Sequence, residues 1–273
     1  MKNNNNLYPL PSEIIWNIIQ KLEPKDLSVL RVVSKRTRMY CDHPSLWENI
    51  QLNPNNYLWK LSNLKSILQS HLHFIRKIQI WNVRDSVVRY ILENCCFLED
   101  LAIFGWSTLS DHAFRTNQKI LYLKSLKLIG ERKLSFVSMD AFTFGKFIKQ
   151  CPQLEEVSIL RCQIHLHSDS LLEIFSLQNN ILSSLKFLTM PTKRSWTSQN
   201  IIKLFELCSN LEILKLIPNS DQFLLNLKDR RNNNNKMLDV SNSPLLIEKS
   251  LQSIEDEELL VEVNNIIIYR ILN

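Results

Sequence analysis

The stretch LPSEIIWNIIQKLEPKDLSVLRVVSKRTRMYCDHPSLW, residues 10–47, decides how the fold begins, because it holds the patterns of three short helices. We expect Ser12 to cap the first helix, since a serine hydroxyl accepts a hydrogen bond from a first-turn N–H. Apolar residues then recur at intervals of three and four, which predicts one broad apolar helical face. That face comprises Ile14, Ile15, Ile18, Ile19 and Leu22.

The second and third helices are equally short. Pro24 suits the first turn of the second helix, and Ser34 can cap a third that ends before His43-Pro44. The apolar stripe of the second helix comprises Leu27, Leu30 and Val33. Three short helices cannot bury this much aliphatic surface among themselves, so part of it must contact the rest of the chain or a partner.

Residues 9–47 resemble the F-box family. Two positions depart from the commonest family pattern: Thr37 stands where members often carry an aromatic residue, and Ser34 where they often carry cysteine. The alternative is a small helical cap of a larger fold, which the ordered match along the segment disfavours. The matching residues are Leu10-Pro11, Glu13-Ile14-Ile15, Ile18-Ile19, Leu22, Pro24, Asp26-Leu27, Leu30, Val33-Ser34-Lys35, Arg38, Pro44 and Leu46-Trp47.

This resemblance implies that the segment docks on the Skp adaptor of Skp–cullin–F-box ubiquitin ligases and, through it, joins cullin. Such a contact would involve about 20–30 residues a side, with a few buried aliphatic residues dominating the affinity. The residues we expect in the contact are Leu10, Pro11, Ile14, Ile18, Leu22, Leu27, Leu30 and Val33.

The remainder of the chain repeats a second pattern, apolar-x-x-apolar-x-apolar, whose period-2 spacing suits a strand. An imperfect earlier copy, Trp47/Ile50/Leu52, would join the first segment directly to the repeats. The six copies are Ile75/Ile78/Ile80, Leu98/Leu101/Ile103, Leu123/Leu126/Leu128, Leu154/Val157/Ile159, Leu182/Leu185/Phe187 and Leu211/Leu214/Leu216.

Helical spacing separates these strands at 86–95, 139–151 and 198–208. One strand and one helix per 20–30 residues resembles a leucine-rich repeat, in the cysteine-containing subtype often attached to F-boxes. The resemblance implies an α/β fold: a three-helix F-box followed by a curved solenoid, with a parallel sheet on its concave side and helices on its convex side.

Four of the six cysteines fit repeat positions. Cys95, Cys151 and Cys208 each precede an anchor leucine by three residues, and Cys162 follows Ile159 by three. We expect them to pack as small apolar side chains. A metal pair of Cys151 and Cys162 is the less favoured alternative.

These patterns divide the chain into five parts. We expect a disordered N-terminus at 1–8, an F-box at 9–50, repeats at 51–228, a disordered Asn-rich loop at 229–244 and a C-terminal cap or irregular repeat at 245–273. Within the last part, 245–263 suggests a helix and 266–272 a strand. The sequence leaves open a closing repeat or a tail that folds back over the sheet.

Composition disfavours several functions. Only three glycines occur, none spaced for a nucleotide-binding loop, and no nucleophile elbow is present. No apolar run has the length of a membrane span, and no signal peptide is evident, so we expect a cytoplasmic or nuclear protein. We expect no cofactor, metal, membrane or nucleic-acid partner, and surface positions for the His-Leu-His triplets at 71–73 and 165–167.

If the anchors point inward, an apolar row just after them, beside lysines at the strand centres, faces outward. The row comprises Trp81, Phe104, Ile129, Leu160, Leu188 and Ile217. Such a row marks a substrate-binding surface, unless the C-terminal tail or loops cover it as core. The lysines suggest acidic or phosphorylated substrates, as does a net charge of +11 before residue 237 against −5 from 237 to 273. The candidates are Trp81, Phe104, Lys127, Leu160, Lys186 and Lys215.

The sequence therefore predicts a non-catalytic substrate-recognition subunit of a Skp–cullin–F-box ubiquitin ligase. The alternative is a repeat scaffold whose F-box acts outside ubiquitin transfer.

Overall fold

A computed structural model describes residues 10–53, 58–106, 108–118, 120–130, 135–160, 162–164, 167–176, 183–192, 197–218, 248–249 and 267–270. The segments expected to be disordered, 1–8 and 229–244, lie outside these residues. None of the helices in the described part has the length and apolarity of a membrane span.

Three helices open the described chain: α1 (Ser12–Ile19), α2 (Pro24–Leu30) and α3 (Lys35–Cys41), followed by a 3-10 turn at Pro44–Leu46. The prediction that Ser12 caps α1 is wrong, because Pro11 occupies the cap position and no side chain caps the helix. Pro24 begins α2 as predicted. Ser34 caps α3 as predicted: its hydroxyl accepts a hydrogen bond from the N–H of Thr37 at 3.1 Å.

The remaining elements alternate between strands and helices. The helices are α4 (Leu61–Leu68), α5 (Asp85–Asn94), α6 (Asp111–Phe114), α7 (Ala141–Lys149), α8 (Ser168–Ser176) and α9 (Ser198–Leu207). The strands are β1 (Asn49–Leu52), β2 (Lys77–Trp81), β3 (Asp100–Phe104), β4 (Thr108–Ser110), β5 (Ser125–Ile129), β6 (Ser135–Ser138), β7 (Glu156–Leu160), β8 (Cys162–Ile164), β9 (Phe187–Thr192), β10 (Ile213–Pro218), β11 (Glu248–Lys249) and β12 (Ile267–Arg270).

The main sheet has the order β1-β2-β3-β5-β7-β9-β10-β12-β11. Its first seven strands are parallel, and one helix lies between each consecutive pair of them, as parallel connections require. The predicted α/β class with a parallel sheet is therefore correct. A second sheet of three short parallel strands, β4-β6-β8, was not predicted.

The early copy of the strand pattern is confirmed as the first strand of the sheet. Ile50 and Leu52 in β1 align with Ile78 and Ile80 in β2, and all four are buried. Trp47 is fully buried two residues before β1 begins. The three helices therefore lead into the sheet without a separate linker.

One predicted copy, Leu182/Leu185/Phe187, is assigned three residues too early. Leu188 in β9 aligns with Val157 and with Leu214, so the buried anchors of this strand are Leu185, Leu188 and Met190. Lys186 therefore precedes β9 and does not lie at its centre.

The three predicted helices correspond to α5, α7 and α9, with boundaries shifted by at most two residues. The cysteines just beyond them, Cys95, Cys151 and Cys208, are buried as predicted. In each case the cysteine carbonyl accepts a hydrogen bond from the anchor leucine three residues later, at 2.9–3.1 Å. A small apolar side chain thus ends the helix at the same point in three units.

The apolar anchors of the strands and the apolar faces of the helices form one buried cluster, running from Ile19 in α1 to Leu216 in β10. The helices cover the face of the sheet that carries the anchors. The opposite face carries the alternating residues, such as Gln79 and Lys127, and we call it the open face.

A series of alternating charges occupies the position just before, or at the entry to, each parallel strand. Successive members are joined by hydrogen bonds from backbone N–H to carbonyl of 2.7–2.9 Å. Three side-chain ion pairs lie along the series: Arg76–Glu99 at 3.2 Å, Lys124–Glu99 at 2.8 Å and Lys186–Glu155 at 3.0 Å. This charge ladder comprises Glu48, Arg76, Glu99, Lys124, Glu155, Lys186 and Glu212.

The predicted final strand is confirmed as β12, which lies antiparallel beside β10 at the edge of the sheet. Within the range predicted as a helix, 245–263, the described residues Glu248–Lys249 instead form β11, parallel to β12. The rest of that range lies outside the described residues. The described part of the C-terminal segment therefore extends the sheet at its edge.

Candidate functional site

The three N-terminal helices carry most of the exposed large apolar side chains in the described part of the chain. Seven of the twelve such residues fall between 10 and 39, and they are 44–70% exposed. They are Leu10, Ile14, Ile18, Val29, Val32, Val33 and Met39. A concentration of this kind on a small segment is typical of a binding surface.

The apolar face of α1 is divided between the core and this surface. Ile19 is buried, and Ile15 and Leu22 pack against the core. Ile14 and Ile18, four residues apart and so on one side of the helix, are exposed. The helix can therefore fold against its own chain while presenting a second apolar stripe to a partner.

The predicted contact residues fall into three groups. Leu10, Pro11, Ile14, Ile18 and Val33 are exposed, which agrees with a binding role. Leu22 and Leu30 are half-buried against the core. Leu27 is only 2% exposed, so its assignment to the partner contact is corrected: it belongs to the internal core.

Three exposed residues of the same surface were missed by the sequence reasoning. Val29 lies near the end of α2, Val32 in the turn that follows, and Met39 in the last turn of α3. Helical spacing cannot place residues in a turn, and it gives no reason to separate Val29 from its buried neighbour Leu27. The sequence feature that could have indicated this surface was the apolar pair Val32-Val33, which lies immediately before the Ser34 cap of α3.

Polar contacts hold the helices in this arrangement. The Arg36 guanidinium donates to the Leu10 carbonyl at 3.2 Å, which fixes the chain just before α1 beside α3. The Trp47 indole donates to the Cys41 carbonyl at 2.6 Å and so ties the end of α3 to the start of the sheet. Arg31 also pairs with Asp42, which joins the ends of α2 and α3.

The joint between the helices and the sheet contains a histidine whose predicted surface position is wrong. His71 is 2% exposed and stacks on Trp47, with ring centroids 3.8 Å apart and planes inclined by 13°. Its Nε2 lies 3.4 Å from Asp42 Oδ1, but neither ring nitrogen has a hydrogen bond within the described structure. Burial lowers the pKa of His71 to about 4, so the ring is neutral at pH 7.

The second predicted surface lies on the open face. Trp81, Phe104, Ile129 and Leu160 align across β2, β3, β5 and β7, and each is half-buried. The Trp81 and Phe104 rings stack at 4.4 Å with planes 14° apart. The structure thus brings these four predicted residues into one band, which we call the apolar row.

The remaining members expected in that band are not confirmed there. Leu188 is a buried anchor of β9, as its register requires, and Ile217 lies in β10, where its side chain is outside the described part. Pro191 takes the position after the last anchor of β9 and is buried.

The three predicted lysines differ in their surroundings. Lys127 pairs with Glu156 at 2.9 Å, and Lys186 pairs with Glu155 at 3.0 Å as a member of the charge ladder. The hydrogen bond that Lys186 donates to Glu155 raises the pKa of Lys186. Lys215 has no carboxylate within ion-pair distance among the described residues. Two of the three cations that suggested an acidic substrate are thus already compensated.

The described residues contain no group of three or more histidine, cysteine, aspartate or glutamate side chains placed to hold a metal ion. Burial raises the pKa of the Cys95 and Cys208 thiols to about 12 and that of Cys151 further still, so all three are neutral thiols. The Cys162 side chain lies outside the described part.

Residues 7–49 match the family model of the F-box domain. The match spans the three helices, the exposed apolar residues on them and Trp47. It supports an F-box protein, and F-box proteins are generally non-catalytic adaptors. A comparison with curated proteins found no match for the chain.

Proposed function

We propose that this F-box protein is the substrate-recognition subunit of a Skp–cullin–F-box ubiquitin ligase, acting in the cytoplasm or nucleus. The observation that carries the proposal is the exposed apolar surface on the three helices, which coincides with the F-box match. Docking on the Skp adaptor would remove that surface from water.

The energetics of the helices support docking. Full burial of a fully exposed large aliphatic side chain contributes roughly 1.5–3 kcal/mol. Leu10, Ile14 and Ile18 are 44–52% exposed, so docking would gain about half of that from each of them. The same residues add little to folding, because they face away from the core. Their exposure is thus better explained by a partner than by the stability of the chain itself.

We further propose that the strand-helix units form a curved leucine-rich-repeat solenoid, whose open face captures a substrate protein. The common register of the strands and the recurring buried cysteines support this assignment. The chain would supply proximity and orientation, and a ubiquitin-conjugating enzyme brought by the ligase would modify the substrate. Burial of Trp47 at the joint would fix the angle at which the substrate is presented.

A repeat scaffold whose F-box acts outside ubiquitin transfer is the second candidate. Such a scaffold would bind the Skp adaptor, as the ligase subunit does, but it would not join cullin. Co-precipitation of cullin together with the adaptor therefore separates the two functions, and the presence of adaptor without cullin would favour the scaffold.

The docking surface is tested by replacing Leu10 and Pro11 with alanine, and separately by Ile14→Glu. We expect both variants to lose co-purification with the Skp adaptor, with affinity reduced by about 100-fold or more. The alanine variant removes apolar contact residues, and Ile14→Glu places a charge at the interface. The melting temperature should change little, because Leu10 and Ile14 are exposed.

Phe142→Glu provides the matched control, because Phe142 is also an exposed large apolar residue but lies on α7. It should leave adaptor binding unchanged. Undiminished co-purification of both docking variants would show that the assignment of this surface is wrong.

A further inference from the structure

The open face offers the proposed substrate an apolar row along one edge, and the charged side chains on the same four strands form ion pairs with one another. The apolar row, Trp81 to Leu160, lies at the carboxyl ends of four adjacent strands. At about 4.8 Å per strand, its four positions span about 14 Å. This length suits a short segment of another protein better than a single small molecule.

Two small residues lie next to the apolar row, so the height of the surface varies along it. Ala102 lies two residues before Phe104 on the same face of β3, and Ser158 lies two before Leu160 on β7. Their neighbours in the same cross-strand line, Gln79 and Lys127, are much longer. Ala102 and Ser158 are 8% and 9% exposed, so these short side chains lie low between their longer neighbours, and the stacked Trp81–Phe104 pair lies beside Ala102.

The charges of this part of the face are paired with one another, and the nearest of them to the row is Lys127, two residues before Ile129 on β5. Lys77 pairs with Asp100 at 2.8 Å, and Lys127 pairs with Glu156 at 2.9 Å. Glu156 also accepts a hydrogen bond from Ser125 at 3.0 Å. Lys77, Asp100 and Glu156 stand four residues before the apolar row on their strands, and two cations match two carboxylates. An acidic ligand would have to displace these partners.

We infer that the open face over β2, β3, β5 and β7 binds an uncharged, apolar segment of a partner protein, with large side chains seated beside Phe104 and Leu160. This inference rests on the proposed substrate-recognition function and specifies the class of substrate. It replaces the acidic or phosphorylated segment as the favoured ligand, because compensated lysines offer little to a further anion.

The test uses synthetic twelve-residue peptides in three sets, apolar and uncharged, acidic, and phosphoserine-containing, titrated against the full-length chain by fluorescence anisotropy. We expect binding from the apolar set. Trp81→Ala should weaken the best peptide at least tenfold, which corresponds to about 1.4 kcal/mol. Gln79→Arg should also weaken binding severalfold, and since Gln79 is exposed, this variant should fold even if Trp81→Ala does not.

Two controls separate this inference from the docking function. Phe142→Ala, on α7, should leave peptide binding unchanged. Ile14→Glu should abolish adaptor binding and preserve peptide binding. Trp81→Ala should weaken peptide binding and preserve adaptor binding. Preferential binding of the acidic or phosphoserine set, lost on Lys215→Glu and kept in Trp81→Ala, would overturn the inference, as would no binding by any set. Neither result would affect the assignment of adaptor docking.

Discussion

The F-box helices and the sheet use the same aliphatic residue types in opposite ways. In the sheet units the anchor residues are 4% exposed or less, because each strand has a neighbour and a covering helix. In the three N-terminal helices, chemically similar residues are 44–70% exposed. The position of a unit therefore decides the role of its aliphatic residues. A unit packed on two sides uses them for folding, whereas the N-terminal unit also presents a second set to a partner.

The two regions nevertheless share one core, and Trp47→Ala should destabilise both of them at the joint between the helices and the sheet. Truncating a buried tryptophan typically costs about 3–5 kcal/mol. We expect a fall of that size in the free energy of unfolding, measured by chemical denaturation, and loss of amide protection in α3 and β1. Trp81→Ala is the matched control and should cost less, because Trp81 is half-buried. Equal losses would mean that the joint is no more important than the open face.

A smaller effect is expected from pH, through His71 in the same joint. The pKa of His71 is about 4 in the folded chain against 6.5 for an ordinary histidine, so the unfolded chain binds more protons between these values. Stability should therefore fall as the pH drops from 6.5 towards 4, by up to about 3 kcal/mol at about 1.4 kcal/mol per pKa unit.

His71→Phe should remove this part of the pH dependence while keeping the ring stack on Trp47. Denaturant unfolding at pH 7 and at pH 4.5 measures the difference between the wild type and the variant. His167→Gln, at an exposed position, should keep the profile of the wild type. An unchanged pH dependence in His71→Phe would contradict the assignment.

The smallest effect concerns the charge ladder at the strand entries. Glu99 forms ion pairs with both Arg76 and Lys124, and the hydrogen bond that Lys124 donates lowers the pKa of Glu99. Because partly exposed ion pairs contribute about 1 kcal/mol or less each, Glu99→Gln should lower the melting temperature by only a few degrees. The loss should shrink at high salt. A larger loss, insensitive to salt, would assign Glu99 a packing role instead.

Periodicity alone predicted most of the sheet, since six of the seven parallel strands fall where the apolar pattern places them. It failed at β9 because Leu185 satisfies the pattern in two registers. Leu182/Leu185/Phe187 and Leu185/Leu188/Met190 differ only in their alignment with neighbouring strands, and β7 and β10 select the second. Register between strands is a tertiary property that one strand pattern does not contain.

The binding surface was less predictable for a related reason. Helical spacing grouped Ile14 with Ile15 and Leu27 with Leu30, but it could not say which residues the sheet would cover. The burial of His71 could not be predicted from sequence spacing either, because its contact with Trp47 joins residues 24 positions apart.

Thr37 illustrates a departure from the family pattern that the structure explains locally. Its hydroxyl donates to the Ser34 carbonyl at 2.9 Å and accepts from the Ser34 N–H at 3.1 Å, which completes the cap of α3. An aromatic residue could not make these hydrogen bonds. Thr37 therefore helps to fix the start of α3 through the capping box.

The charge ladder also constrains how such a chain can change in length. Its members alternate in sign from Glu48 to Glu212, so each unit fits between neighbours of opposite sign. Removal or duplication of one unit would bring two like charges together at the new junction, whereas a change of two adjacent units would restore the alternation. The array therefore keeps its alternating charges only when an even number of adjacent units is added or removed.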